Sequence, residues 1–274
     1  MPELPEAEIA RRIVEVALRG ARLEAVAHVD PRMLRRMPEP ERFEGALVGR
    51  RLLGMRRHGK HLVGALEGGG SWWIHLGMSG KLVADESMDA MHRHARLVVR
   101  AGATRLSLID PRRFGATAAG PRAELRRWAG LDELGPDALA LIEDAAGFRA
   151  AFHGGARLKA ALLDQRRLAG VGNIQAAEAC FRAGLDPARP LSALSDDERD
   201  ALREGLRASF AHTLAATLPG EDDGHVAYLS DGAHVANPFL VYGREGEPCT
   251  RCTTPIARRR EGGRSTFHCP GCQR

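Results

Sequence analysis

The four cysteines near the C-terminal end constrain the fold most. They run Cys249-x2-Cys252, sixteen residues, then Cys269-x2-Cys272. Two such pairs at this separation are the pattern of a tetrahedral four-sulfur zinc site. Four protein ligands leave no open position, so one Zn2+ held there is structural rather than catalytic. Between the pairs, residues 255–260 and 264–268 flank Glu261-Gly262-Gly263, and Gly-Gly supplies a hairpin turn. The spacing predicts a zinc-tied β-hairpin with arginines near its tip. Two strands this short do not stand alone in water, so the metal must help hold them. The competing reading is two disulfides. The start of the chain carries two glutamates and two prolines and does not read as an export signal, which argues for the metal. The fifth cysteine, Cys180, lies in an apolar helical stretch and reads as a reduced core residue.

Charge is unevenly placed. The formal net charge is +5 over 274 residues. Segment 249–274 holds six arginines (251, 258, 259, 260, 264 and 274) and one acid, Glu261, so it alone carries that excess. A basic module on a near-neutral body suggests a polyanion partner, most simply nucleic acid; the bland alternative is a solvated tail. Of 40 basic residues only Lys60, Lys81 and Lys159 are lysines. Where arginine is so favoured, a retained lysine hints at a site needing a compact charge with an adjustable pKa, although chance retention explains one or two of them equally well. No apolar run approaches the length of a membrane span. The expectation is a soluble, cytoplasmic protein with no membrane partner.

The length allows two domains with separate cores. Residues 2–19 read as an amphipathic helix with Ile9, Ile13 and Val16 on one stripe and Gly20 as its stop. From about 21 to 118 short alternating runs (22–29, 61–66, 71–76, 95–99, 105–109) predict a strand-rich domain, sandwich-like or barrel-like. From about 121 to 218 the pattern is helical. Ser195 and Glu198 form a capping box ahead of Leu202, Leu206, Phe210 and Leu214 on one face. Residues 219–238 read as a long loop, a size that is usually functional or mobile. The expected division is a strand-rich domain over 1–120, a helical domain over 121–218, a loop and connector over 219–248, and a zinc finger over 249–274.

The N-terminus carries possible chemistry. Removal of Met1 would give Pro2 a free secondary amine, with a reference pKa of about 7.7–8.0. A secondary amine that attacks an aldehyde carbon must form a cationic iminium, an electron sink for eliminations beside it. Glu3 and Glu6 lie close by as acid/base groups. The competing reading is that Pro2 or Pro5 starts a helix. A helix beginning at Pro2 would also point its positive dipole end at whatever Pro2 meets.

Three more stretches stand out. Gly170-Val171-Gly172-Asn173 separates two helical segments, and its amides with the following helix N-terminus can cradle a phosphate. Asn173 can cap that helix or donate to a phosphate oxygen. His75-Leu76-Gly77-Met78-Ser79-Gly80 and Asp110-Pro111-Arg112-Arg113-Phe114-Gly115 read as turns after strands, each with a large side chain at its tip. In a DNA protein such side chains can wedge into a base stack; elsewhere Met and Phe are more often core residues.

In order along the chain stand PELPE, HGKHL around Lys60, HLGMSG, DPRRFG, GVGN, VYGREGEPC and the paired cysteines. Together they resemble the bacterial formamidopyrimidine-DNA glycosylases, also called 8-oxoguanine DNA glycosylases, over essentially the full length. The resemblance implies an α+β multidomain protein. Its parts are an N-terminal β-sandwich with an N-terminal helix and a C-terminal helical domain with a helix-two-turns-helix motif and a zinc-finger β-hairpin, with damaged double-stranded DNA in the cleft between the two domains. It implies a nucleoid-associated monomer. It makes Pro2 the nucleophile, Glu3 the general acid/base and Glu6 a supporting group. Lys60 would hold a phosphate beside the lesion, and Asn173 and Arg264 would grip backbone phosphates. Met78, Arg112 and Phe114 would fill the gap left by the extruded base, with Arg112 facing the orphaned partner. Lys159 falls where the family often has a DNA-contacting lysine. The expected activity is excision of oxidised purines through a Pro2 iminium, followed by two eliminations that cut on both sides of the lesion.

Gln175 and Ala160 depart from the family's usual aromatic and proline. Glu221-Asp222-Asp223 replaces the expected glycines and hydroxyl residues in the loop that closes over the flipped base. The nearest alternative is the endonuclease VIII-like branch, acting on oxidised pyrimidines; PELPE, Arg112 and Phe114 argue against it. A catalytically inactive zinc-dependent DNA-binding protein would need the hairpin and GVGN, but not Pro2, Glu3 and Lys60 together.

Overall fold

The computed structural model describes residues 2–86, 91–217 and 237–274. The acidic segment at 221–223, for which a loop was expected, lies outside them. The described chain forms two compact units, the first ending at Glu133 and the second comprising 134–216 and the C-terminal segment from 237.

The first unit opens with helix α1 (Leu4–Leu18). Strands β1 (Ala25–Val29), β2 (Leu52–His58), β3 (His61–Leu66), β4 (Gly70–His75), β5 (Lys81–Asp85), β6 (Ala95–Ala101), β7 (Thr104–Ile109) and β8 (Ala116–Pro121) follow, with the short helix α2 (Phe43–Leu47) between β1 and β2 and α3 (Arg122–Ala129) after β8. They make two antiparallel four-stranded sheets, ordered β1-β6-β7-β5 and β2-β3-β4-β8. This is a sandwich. Trp72, Ile74, Leu62 and Leu52 come from one sheet and Leu82, Leu97, Val99, Leu106 and Leu108 from the other, all of them buried, as alternating inward positions require. Helix α1 packs against β2 and β3 of one sheet and β5 and β7 of the other.

Two expectations about α1 change. It starts at Leu4 with Glu3 as N-cap, so Pro5 is the first-turn proline and Pro2 stands outside the helix. Its buried face is Leu4, Ala7, Ala10, Val14 and Leu18, joined by Ile9, whereas Val16 is 90% exposed. Alanines admit close approach to two sheets at once, and that contact selects the face.

The second unit holds α4 (Ala138–Leu141), α5 (Ala145–Ala151), α6 (Leu158–Leu163), α7 (Asn173–Ala183), α8 (Asp196–Thr217), β9 (Ala257–Glu261) and β10 (Arg264–His268). The capping box at α8 forms: Glu198 N–H donates to Ser195 Oγ at 3.2 Å and Ser195 N–H to the Glu198 carboxylate at 2.9 Å. Leu202, Leu206 and Phe210 below it are buried. In the hairpin Glu261 pairs with Arg264, leaving Gly262 and Gly263 as a two-residue turn with φ of +54° and +77°. Two left-handed positions are the requirement of a type I′ turn, which glycine meets without strain. The hairpin is not separate from the helices. Phe267, Ile256, Cys249 and Cys269 share one apolar cluster with Ala177 and Phe181 of α7 and with Val241.

Candidate functional site

At the N-terminus the sequence Pro-Glu-Leu-Pro-Glu folds into a capping box. Glu3 N–H donates to the Glu6 carboxylate at 2.8 Å, and Glu3 in turn caps the N3 position. Pro2, Glu3 and Glu6 are all buried. Burial pushes the Glu6 carboxyl up to about 6, helped by the neighbouring Glu3 charge and opposed by the Glu3 amide. Two carboxylates are thereby fixed within one helical turn of Pro2, beside the positive end of a 15-residue helix.

Lys60 occupies the two-residue loop of the β2–β3 hairpin, after Gly59 with φ +57°. Next to it stand two histidines held neutral. Trp73 Nε1–H donates to His61 Nδ1 at 3.1 Å, and Gly77 N–H donates to His75 Nδ1 at 3.1 Å. Their rings lie 4.8 Å apart. Burial drives His61 down to about 2 and His75 to about 4, and the Lys60 and Arg36 charges push the same way. The pair thus accepts hydrogen bonds without adding charge beside Lys60.

The two turns expected as wedges meet. Met78 and Phe114 are 40% and 44% exposed, although large apolar groups usually hide. The Arg112 guanidinium lies over the Phe114 ring, 4.8 Å from its centroid. A Cβ on Gly77 would come within 2.3 Å of the Phe114 carbonyl carbon, so the two turn backbones touch. Arg35 donates to the carbonyls of Phe114, at 2.7 Å, and of Gly115. Arg113, with φ +59°, is held by Asp30 at 3.2 Å.

In the second unit, Gly170 (φ +116°) and Gly172, the N-cap, lead into α7, whose first residue is Asn173. The side chain of Gln165 braces this turn: it accepts from Gly170 N–H at 3.0 Å and donates to Val171 O at 2.9 Å. Asn173 Nδ2 donates to Ser265 O at 3.0 Å, tying the turn to the hairpin, while its Oδ1 is buried without a partner. Arg258, Arg260 and Arg264 are exposed on the hairpin, as its basic composition predicts.

Lys159, expected as a DNA contact, is buried. It is 2% exposed, and its ammonium donates to Ser265 O at 2.9 Å and Thr266 Oγ1 at 2.7 Å. The side chain works inside the unit, fastening α6 to β10 beside the same carbonyl that Asn173 holds. Gln175, an aromatic position in the resembling family, donates to Thr213 Oγ1 at 2.8 Å and accepts from Ser209 Oγ at 2.6 Å, a buried polar link between α7 and α8.

The sulfurs of Cys249, Cys252, Cys269 and Cys272 all lie within 4.8 Å of one another, with Cys252–Cys269 at 3.4 Å and Cys249–Cys272 at 3.8 Å. Tetrahedral zinc with bonds of about 2.3 Å separates sulfurs by roughly 3.8 Å, so the donor set fits. Both distances are far beyond a disulfide bond of about 2.05 Å. Cys180 is fully buried, and burial pushes its thiol up to about 12, an inert core group as expected.

Residues given no role in the sequence reading also act here. Asp110 and Ser79 join the wedge turns. Glu178 takes the N–H groups of Leu240, Val241 and Tyr242 at 2.9–3.0 Å. An aspartate before proline at a strand end is a turn signal that points to Asp110, whereas nothing local to Glu178 marks it.

The chain thus joins a sandwich opened by a buried Pro-Glu pair to a helical unit that carries a four-cysteine hairpin. Residues 1–117 match the family model of the formamidopyrimidine-DNA glycosylase N-terminal domain, and residues 134–218 that family's H2TH domain. The chain belongs to the formamidopyrimidine-DNA glycosylase family. It is 39% identical to the formamidopyrimidine-DNA glycosylase of Cereibacter sphaeroides, with 100% of both chains covered. It is similar to the crystal structure of MutM (Fpg) from Thermus thermophilus, at 38% identity and a TM-score of 0.80, covering 99% of this chain and 98% of that one. It is also similar to Lactococcus lactis Fpg in complex with abasic-site DNA, at 25% identity and a TM-score of 0.84, covering 99% of each. Among the described residues no helix is long and apolar enough to cross a membrane.

Proposed function

We propose that the chain excises formamidopyrimidine and 8-oxoguanine from duplex DNA and then cuts the strand at the abasic site. A base inside a duplex cannot reach an amine, so it is flipped out first. The Pro2 nitrogen, freed by removal of Met1, attacks the sugar C1′; the base leaves with the glycosidic electron pair, and Glu3 serves as the acid/base. The ring-opened adduct is a Pro2 iminium. It acidifies the C2′ proton, whose loss expels the 3′ phosphate. A second elimination expels the 5′ phosphate and leaves strand ends with phosphate on both sides.

The observation that carries this reading is the buried Pro2–Glu3–Glu6 group, in which Pro2 precedes the helix that its neighbours cap. The negative charge of the two carboxylates favours a cationic iminium beside them. Lys60, Asn173 and Arg264 supply phosphate contacts, which position the duplex without reading its sequence. Met78, Arg112 and Phe114 fill the gap left by the flipped base. One Zn2+ held by Cys249, Cys252, Cys269 and Cys272 keeps Arg264 on an ordered hairpin. The enzyme works as a monomer in the bacterial cytoplasm, in functional segments 1–120, 121–218, 219–248 and 249–274.

Borohydride trapping on abasic-site DNA tests the covalent step. The wild-type chain should become cross-linked, and Pro2→Gly should not. Glu3→Gln should lose excision by about 100-fold or more while still binding an abasic-site analogue. A wild-type chain that binds but is never trapped would overturn the reading. Preferential release of thymine glycol over both purine lesions would move the chain to the pyrimidine branch.

A further inference from the structure

We propose that Asp110 is a positioning residue that makes the 76–80 and 110–115 turns one wedge, so that Met78, Arg112 and Phe114 enter the duplex together. The inference rests on the gap-filling role of those three side chains given above.

Asp110 is fully buried at the end of β7. Its Oδ1 accepts from Ser79 Oγ at 2.5 Å and from Arg112 N–H at 3.2 Å. Its Oδ2 accepts from Gly115 N–H at 2.7 Å. One carboxylate thus holds the residue after Met78 together with Arg112 itself and the residue after Phe114. Its own backbone is fixed as well: the amide donates to His94 O at 2.9 Å, and the carbonyl accepts from Arg96 Nε at 3.0 Å. A buried carboxylate is costly unless its oxygens are satisfied, and here three donors from two turns satisfy it.

A turn-capping aspartate needs only the local donors of Arg112 and Gly115. The bond from Ser79, 31 residues away, has no part in closing the 110–115 turn. It joins the second wedge to the first, where Gly77 already brings the backbones into contact. Side chains inserted into a base stack work against the cost of unstacking, and a preorganised wedge does not spend part of that interaction on its own ordering.

The test compares wild type, Asp110→Asn and Ser79→Ala in three measurements: single-turnover excision of 8-oxoguanine opposite cytosine, cleavage of a preformed abasic site, and thermal unfolding. An abasic site has no base to unstack, so it depends least on the wedge. Asp110→Asn places an amide donor against donors already present. It should slow excision by about tenfold or more while abasic cleavage stays within about threefold. Ser79→Ala keeps the buried carboxylate and its local bonds. It should show the same split more weakly, with a smaller fall in unfolding temperature than Asp110→Asn, and it decides the matter if Asp110→Asn does not fold. Equal losses on both substrates, or normal excision by Ser79→Ala, would reduce Asp110 to a turn cap and overturn the proposal. A wild-type chain that processes neither substrate would refute the glycosylase reading instead.

Discussion

The backbone N–H of Glu3 donates to the carboxylate of Glu6 at 2.8 Å, and both side chains are buried. Glu6 therefore orients Glu3 while adding a second acid to a buried turn. Burial is the main cause of the raised Glu6 value, and the neighbouring Glu3 charge adds to it.

That value sets a pH dependence. Glu6 ionises through about pH 6 in the folded chain. Above it both the orienting bond and the negative charge that would favour the proposed iminium are at full strength. The expected abasic-cleavage profile has an acidic limb near 6, which Glu6→Gln should flatten. The stability sign is opposite. The folded value lies above the ordinary 4.5, so the folded state binds more protons between them, and stability falls as pH rises from about 4.5 to 6. The loss is at most about 2 kcal/mol. Glu6→Gln should remove that component from a pH series of denaturant melts; a series identical to wild type would exclude the assignment.

Much of this was legible along the chain, for reasons that differ by element. The strand β3 falls on the expected 61–66 because its inward positions alternate and a Gly-Lys loop precedes it. The hairpin register follows from Gly262-Gly263, which admits one two-residue turn. The face of α1 was not legible: Ala7 and Ala10 carry no strong apolar signal, and only the close approach of two sheets buries them in place of Val16. Lys159 shows its charge in the sequence but not its burial, which depends on a hairpin about a hundred residues later. Asp110 likewise reads as a turn former, while its bond to Ser79 exists only once β5, β6 and β7 have paired.

Metal removal should affect one unit and spare the other. Cys249 and Cys269 belong to the apolar cluster that includes Phe181 and Ala177 of α7, so loss of zinc loosens the helix that carries Asn173 as well as the hairpin. Metal analysis is expected to give one zinc per chain. Cys252→Ser or Cys269→Ser should weaken DNA binding and increase amide exchange in 237–274 and in α7, with the sandwich unchanged. Active protein containing no zinc would remove the site.

Lys159 offers a sharp choice between two roles. If it touched a phosphate, Lys159→Met would reduce the slope of log binding constant against log salt by about 0.9. Held inside by Ser265 O and Thr266 Oγ1, it should leave that slope unchanged. The substitution should instead cost about 1–3 kcal/mol of stability by leaving buried acceptors unpaired. It should also lower affinity equally at every salt concentration, since Asn173 shares the Ser265 carbonyl. Salt titrations and thermal melts of the variant separate the two outcomes.

Glu178 should prove to be an anchor for the segment that begins at residue 237. Its carboxylate lies in the core of the second unit and takes three consecutive backbone N–H groups, those of Leu240, Val241 and Tyr242. Tyr242 in turn packs edge-on against Phe267 of the hairpin, 5.1 Å between centroids, and its hydroxyl lies 3.5 Å from Asn173 Nδ2. Glu178→Gln keeps the shape but turns one acceptor into a donor facing donors. Charge-assisted bonds of this kind are worth about 1.5–3 kcal/mol each, so the variant should lose stability on that scale. DNA binding should weaken as Tyr242 and the hairpin shift, while the cleavage rate of the fully bound complex, which the proposed mechanism assigns to Pro2 and Glu3, stays near wild type. Single-turnover cleavage at saturating protein, run beside a binding titration, reads both. A lowered saturated rate with normal affinity would show that Glu178 acts on the chemistry rather than on this anchor.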